Sequence, residues 1–230
     1  MEKQQAIFCW SGGKDSAYCL HKVNTENRLD VRYLVTTMND DFKGISMHGV
    51  SEELLDLQAE SIGIPLIKVR VTEGSNKEYE KQMEIAFLKA KSEGITMVIF
   101  GDLFLEDLRI YRENQLAVLG MIAIFPLWKI DTLSIVNDFI SQGFKTIICC
   151  CNNKYLSEEW AGKAIDKTFM DELPAHVDPC GENGEYHSFC YDGPVFKKKI
   201  EFTIGEKVCK ELTKSNITGH YWFCDLTAKE

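Results

Sequence analysis

Short apolar runs alternate with amphipathic helical stripes through most of this chain, and no other feature restricts the fold as much. Residues 6–10 (AIFCW), 31–37 (VRYLVTT), 66–71 (LIKVRV) and 97–100 (MVIF) are brief and β-prone, so each reads as a buried strand. Helical stripes lie between them. Cys19, Leu20 and Val23 fall at i, i+1 and i+4. Leu55, Ala59 and Ile62 follow a Ser51 N-cap and stop at Gly63 and Pro65, and Tyr79, Met83, Ala86 and Ala90 end at Gly94. Leu108, Leu116 and Leu119 mark another helix. Asp131 caps one carrying Leu133, Val136 and Ile140, and residues 145–151 (KTIICCC) read as a further strand. Repeated βα units predict an α/β fold, a Rossmann-like doubly wound parallel sheet over residues 1–152. The rhythm then changes. A helical stretch over 157–173, a Gly- and Glu-rich segment and two strand-like runs near Ile200 and Tyr221 predict a smaller C-terminal α+β part over 153–230.

With 230 residues and 45% hydrophobic content, the chain suits one large domain, or one domain with a small addition. A net charge of −9 argues against nonspecific attachment to nucleic acid or to acidic membranes, while leaving room for a locally basic pocket. The longest apolar stretch, 118–128, contains a Gly and a Pro and is too short to cross a bilayer. Nine cysteines are an odd count, and three are consecutive (Cys149, Cys150 and Cys151). With no charged segment and apolar signal region ahead of the first strand, the expectation is a cytoplasmic protein whose thiols are small core residues.

Three segments carry chemistry. The first, "SGGKDS" at 11–16, is a glycine turn between a buried strand and a helix, which leaves backbone N–H groups aimed at one point. It is not a Walker A loop, because position 8 is Phe and position 15 is Asp, and it lacks the Gly-x-Gly-x-x-Gly fingerprint. Ser11 and Ser16 offer hydroxyls, Gly12 and Gly13 allow close approach to phosphate, Lys14 brings a positive charge, and Asp15 suits Mg²⁺. The plain alternative is an ordinary glycine turn. The second segment, "FGDLFLEDLRIYRENQ", puts Gly101 and Asp102 at the end of a strand, the edge where α/β sheets bind ligands. There Arg109, Arg112 and Glu113 share one helical face, as substrate contacts or as a solvated ion-pair face. The third, "DPCGENGEYHS", alternates glycines with Glu182 and Glu185, and extended geometry predicts Glu185 and His187 on one side. Such a pair binds a metal, orients an amine or moves protons, unless the segment is merely a polar hairpin.

"SGGKDS" resembles the PP-loop of ATP pyrophosphatases, which cleave ATP between the α- and β-phosphates. Taken with "FGD…LR.YRE", "FPLW" and "GENGEYHSF..DGP.F", the chain is identified as similar over nearly its whole length to the diphthine–ammonia ligase family of PP-loop proteins. The resemblance implies that residues 11–16 hold ATP phosphates and that Gly101 and Asp102 belong to the nucleotide or Mg²⁺ site. It also implies that "MHGV" turns His48 toward the nucleotide, and that Glu182, Glu185 and His187 stand in the signature active-site loop. The family pattern there is Gly-Glu-Gly-Gly-Glu-Phe/Tyr-Glu-Thr. This chain has Asn183 for a Gly and His187-Ser188 for Glu-Thr, which changes charge and hydrogen-bonding sense at the acceptor site.

The implied activity is an AMP-forming amide ligase. A carboxylate attacks the α-phosphorus, pyrophosphate leaves, and ammonia from free ammonium displaces AMP. Lys14, with Mg²⁺ on Asp15 and Asp102, would neutralise the pyrophosphate, and Glu182, Glu185 or His187 would position and deprotonate ammonia. The implied acceptor is diphthine, a modified histidine on elongation factor 2. Two rivals remain at this level. One is an adenylating enzyme for a small-molecule carboxylate; the other is a non-catalytic ATP or AMP sensor, for which the Gly-Glu loop would be superfluous. Sulfur transfer to tRNA by Cys149–Cys151 is disfavoured by net charge and the lack of a Cys-x-x-Cys pair. A homo-oligomer is left open.

Overall fold

The computed structural model describes residues 3–39, 49–71, 76–214 and 217–229. Two sheets form. The first contains β1 (Gln4–Cys9), β2 (Leu29–Asn39), β3 (Leu66–Val71), β4 (Met97–Ile99) and β5 (Ile122–Ile124), all parallel, in the order β3-β2-β1-β4-β5. Helices α1 (Lys14–Glu26), α2 (Glu52–Ile62), α3 (Asn76–Ser92) and α4 (Glu106–Val118) connect its strands. This is the doubly wound arrangement expected of the sequence. The order reverses between β1 and β4, so their C-terminal ends flank a crevice, the usual ligand position in such sheets.

The second sheet is antiparallel. It contains β6 (Lys145–Asn152), β7 (Tyr186–Asp192), β8 (Phe202–Lys214) and β9 (Ile217–Ala228) in the order β7-β6-β9-β8. Residues 145–151 were expected to extend the parallel sheet, but β6 instead pairs with β7 and β9. Its run from Thr146 to Cys151 is buried throughout, and a strand apolar on both faces fits the centre of either sheet. Cys149, Cys150 and Cys151 pack in the core, where burial pushes all three thiols up, Cys151 to about 12. That environment suits packing rather than sulfur chemistry.

Two helix starts follow the sequence closely. The Ser51 side chain accepts from Leu54 N–H, and Asp131 accepts from Ser134 N–H at the start of α5 (Thr132–Ser141), each cap worth about 1 kcal/mol. In α5 the buried stripe is Ile135, Val136 and Phe139, whereas Leu133 is exposed. The helical stretch expected over 157–173 is a 3-10 turn at Glu158–Trp160 and α6 (Lys167–Glu172). Among the described residues no helix is long and apolar enough to cross a membrane.

Candidate active site

Loops from both sheets meet at one cavity of about 620 Å³ beside the C-terminal ends of β1 and β4. From the first sheet it is lined by Ser11, Gly13, Lys14, Asp15, Ser16, Gly101, Asp102 and Arg112. From the second come Glu182, His187 and Ser188. His48 lies outside the described residues.

The loop after β1 is fixed by neutral hydrogen bonds. Ser11 and Ser16 hydroxyls meet at 2.7 Å, and Ser16 Oγ also accepts from Ser11 N–H. Gly12 has φ +79°, and a Cβ there would lie 3.0 Å from both Gln58 Oε1 and Leu55 Cδ2, so a side chain is excluded twice over. Its carbonyl faces away from the cavity and accepts from Gln58 Nε2 at 2.9 Å and from Cys190 N–H at 2.9 Å. Gln58 Nε2 also donates to Cys190 carbonyl at 2.6 Å, and Gln58 Oε1 accepts from Trp10 Nε1 at 2.8 Å. One fully buried amide on α2 thus ties the loop to β7. Gly13, extended and without a capping side chain, opens α1 with first-turn N–H groups directed at the cavity. Lys14 N–H is taken by Ser188 Oγ at 3.1 Å.

Lys14 is the buried cation of the site. Its Nζ donates to both Asp15 oxygens, at 2.9 and 2.8 Å, and to the Cys180 carbonyl, and it lies 5.4 Å from the Tyr186 ring centre. Burial is the largest single influence and opposes its charge, but Asp15, Cys180, Tyr186 and Glu182 together outweigh it and hold the ammonium well above its ordinary range. Across the crevice, the Asp102 carboxylate faces the Arg112 guanidinium, with Nε and Oδ2 2.8 Å apart and Nη2 donating to Oδ1 at 3.2 Å. The closer pair attracts as charges but is too misaligned to hydrogen-bond, so Asp102 Oδ2 and Arg112 Nε have no aligned partner. Burial lifts the Asp102 carboxyl, with Arg112 opposing. At Gly101 the end of β4 passes close to the PP-loop: a Cβ there would stand 3.4 Å from the Asp15 backbone, an ordinary contact.

The two acids of the third segment part company. Glu182 lines the cavity, and burial, the Asp15 charge and then Asp178 and Asp102, against Lys14, push it up to about 8. Glu185, expected beside His187, is buried and turned into its own loop. Its Oε1 accepts from Asp178 N–H and Asn183 Nδ2, each at 3.0 Å, and Oε2 accepts from Asn183 N–H at 2.8 Å. It does not line the cavity, because the loop turns until Tyr186, where β7 starts, and strand alternation does not reach back to it. Gly181, at φ +73°, lies so close to Tyr186 that a Cβ would stand 2.9 Å from its carbonyl oxygen.

The helical face of α4 divides likewise. Arg112 reaches the cavity, over the Phe100 ring at 4.3 Å. Arg109 instead stacks on Phe125 and Trp128 of the "FPLW" stretch and pairs with Glu113 at 2.8 Å, and neither lines the cavity. Sequence reasoning passed over Gln58, Asn152, Tyr155 and Tyr221. Nothing local distinguishes them; they matter only through contacts that the fold creates.

The chain matches a family model described as the diphthamide synthase N-terminal domain over residues 4–121, and another described as the diphthamide synthase C-terminal domain over residues 131–218. It is 27% identical to a diphthine–ammonia ligase of Danio rerio, the match covering 86% of each chain. It is 26% identical to one of Homo sapiens, over 86% of this chain and 82% of the relative. A Schizosaccharomyces pombe protein of the same name is also 26% identical, but the match spans 36% of its length. With the PP-loop and the Gly-Glu loop joined at one cavity, and both models matched in order, this chain belongs to the diphthamide synthase family.

Proposed function

We propose that this chain is an ATP-dependent, AMP-forming amide ligase that converts diphthine on elongation factor 2 to its amide, with free ammonium as nitrogen donor. The observation that carries this reading is the joining of the two loops: Lys14 is bonded to Ser188 through its backbone and to Cys180 through its ammonium. Whatever phosphate Lys14 binds is therefore delivered beside Glu182 and His187.

In this reading the first-turn N–H groups of α1, Ser11, Ser16 and Lys14 receive the phosphates. The Lys14 charge offsets what builds on the pyrophosphate as the acceptor carboxylate attacks the α-phosphorus. Glu182, lifted by burial and by Asp15, gives up its own proton only above neutral pH, and in that deprotonated form it is suited to take a proton from ammonium. Glu185 serves as the frame that holds Glu182 in place. The expected pair of ammonia-handling acids is thereby reduced to one.

No group of three His, Cys, Asp or Glu side chains forms a metal-binding cluster among the described residues. A Mg²⁺ carried on ATP needs only one or two protein carboxylates besides phosphate oxygens. Asp102 Oδ2, buried without an aligned donor, and Asp15 fit that requirement. Bound there, the ion would supply further positive charge against the leaving pyrophosphate.

The test is ATP–pyrophosphate exchange with diphthine-bearing elongation factor 2, followed by AMP release when ammonium is added. Exchange that requires the acceptor supports the proposal. Exchange indifferent to this acceptor but dependent on a small carboxylic acid would move the function to that acid. ATP binding without exchange for any carboxylate would leave a sensor.

A further inference from the structure

The two ends of the cavity differ in charge. Among the described residues, every carboxylate in its lining, Asp15, Asp102 and Glu182, comes from the PP-loop, the β4 end or the Gly-Glu loop. The other end, where β6 and β9 pair, contributes Asn152, Lys154, Tyr155 and Tyr221, none of them acidic. Both cations at the first end already face acids, Lys14 with Asp15 and Arg112 with Asp102. Lys154 has no carboxylate partner among the described residues, and its ammonium rests 5.1 Å from the Tyr155 ring centre.

Asn152 organises this end. Its Oδ1 accepts from Lys154 N–H at 3.0 Å, setting the turn that carries the lysine. Its Nδ2 donates to Tyr221 Oη at 3.1 Å, which uses the phenol as an acceptor and leaves its proton for another partner. Burial raises the Tyr221 phenol, so that proton stays on at physiological pH. The result is a hydroxyl donor and an unpaired ammonium on a wall to which no described residue contributes an acid.

We propose that this wall is the acceptor's carboxylate subsite: Lys154 Nζ and Tyr221 Oη–H hold the carboxylate that is to be activated, and Asn152 positions both. The placement rests on the ligase reading above and deepens it. The acidic wall repels a free carboxylate and, with its paired cations, receives phosphates and ammonium. The donor wall attracts the carboxylate and turns it toward the PP-loop. The proposal makes Lys154 and Tyr221 selective for a carboxylate over its amide, so the product leaves once its charge is gone.

The test compares binding of elongation factor 2 carrying diphthine with binding of the same protein carrying the amide product. Wild type, Lys154→Gln and Tyr221→Phe are measured by titration in the absence of ATP. Lys154 is exposed, so its replacement leaves the fold intact. Wild type should prefer the carboxylate form, and each variant should lose most of that preference, by about tenfold for a hydrogen bond to a charged group. ATP affinity should stay within about twofold, since neither residue belongs to the phosphate end. Equal loss for both forms, or a preference unchanged in both variants, overturns the subsite. ATP–pyrophosphate exchange measured alongside separates the two proposals. Exchange with no Lys154-dependent preference removes the subsite alone, and a Lys154-dependent preference with no exchange removes the ligase reading alone.

Discussion

The PP-loop and the Gly-Glu loop meet at one cavity and are held in opposite ways. The PP-loop is braced by neutral groups, the paired Ser11 and Ser16 hydroxyls and the Gln58 amide, and it presents its charges, Lys14 and Asp15, to the cavity. The Gly-Glu loop is braced by a charge, the buried Glu185 carboxylate, and Glu182 is the one carboxylate it presents to the cavity. Both are rich in glycine and acid, yet the same residue type does different work in each. A carboxylate that accepts hydrogen bonds from its own loop is committed to geometry and has little capacity left for a substrate. Counting acids in a motif therefore overstates the number available for proton transfer.

Four substitutions probe this contrast, the strongest first. Lys14→Met removes the buried cation while keeping an unbranched stem, and AMP formation should fall by ~10²–10³-fold. A loss under tenfold would mean that the PP-loop's charge is not what the site depends on. Glu185→Ala leaves the Asp178 and Asn183 N–H groups without their acceptor, and urea unfolding should show a loss of about 2 kcal/mol or more. If stability is unchanged and only turnover collapses, Glu185 is a proton-transfer group after all, and the contrast between the loops disappears.

Glu182→Gln sharpens the comparison from the other side. In the folded protein burial first, then Asp15, Asp178 and Asp102, with Lys14 opposing, push Glu182 up to about 8, against 4.5 for an ordinary glutamate. The native state thus holds a proton that the unfolded chain has released. Wild-type stability should decline as pH rises from about 4.5 and level off beyond about 8. Urea midpoints across that window should fall less steeply for Glu182→Gln than for wild type. An equal slope would place the titrating group elsewhere. The mildest change is a control outside both loops. Arg109→Ala loses one helical ion pair and its stacking on Phe125 and Trp128, about 1 kcal/mol in total, with ATP affinity unchanged by equilibrium dialysis. A large drop in ATP affinity would return Arg109 to the site.

Much of the fold was legible because it rests on local signals. The strand-and-helix alternation, the Ser51 and Asp131 caps and the stop at Gly63 all read directly from sequence. Three features did not. β5 is three residues long, below the length at which periodicity speaks. In α5, Leu133, Ile135, Val136, Phe139 and Ile140 leave the apolar stripe free to rotate by a residue or two, and only packing selects Ile135 and Phe139. β6 is apolar on both faces, so its sheet is decided by its neighbours. At the site, Lys14, Asp102, Arg112, Glu182 and His187 all lie at the cavity, since their motifs place them at strand ends and loops. Gln58, Asn152 and Tyr221 escaped because each acts across a gap in sequence that no motif spans.

The sharing of the Gly12 carbonyl between Gln58 and Cys190 gives this protein an internal reporter. The Cys190 amide hydrogen is held by an oxygen of the PP-loop, so it can trade with deuterated solvent only when that loop lifts from β7. Its deuteration rate is therefore a clock for undocking of the loop. A nucleotide that tightens the loop should slow that clock, at a residue that does not line the nucleotide's cavity.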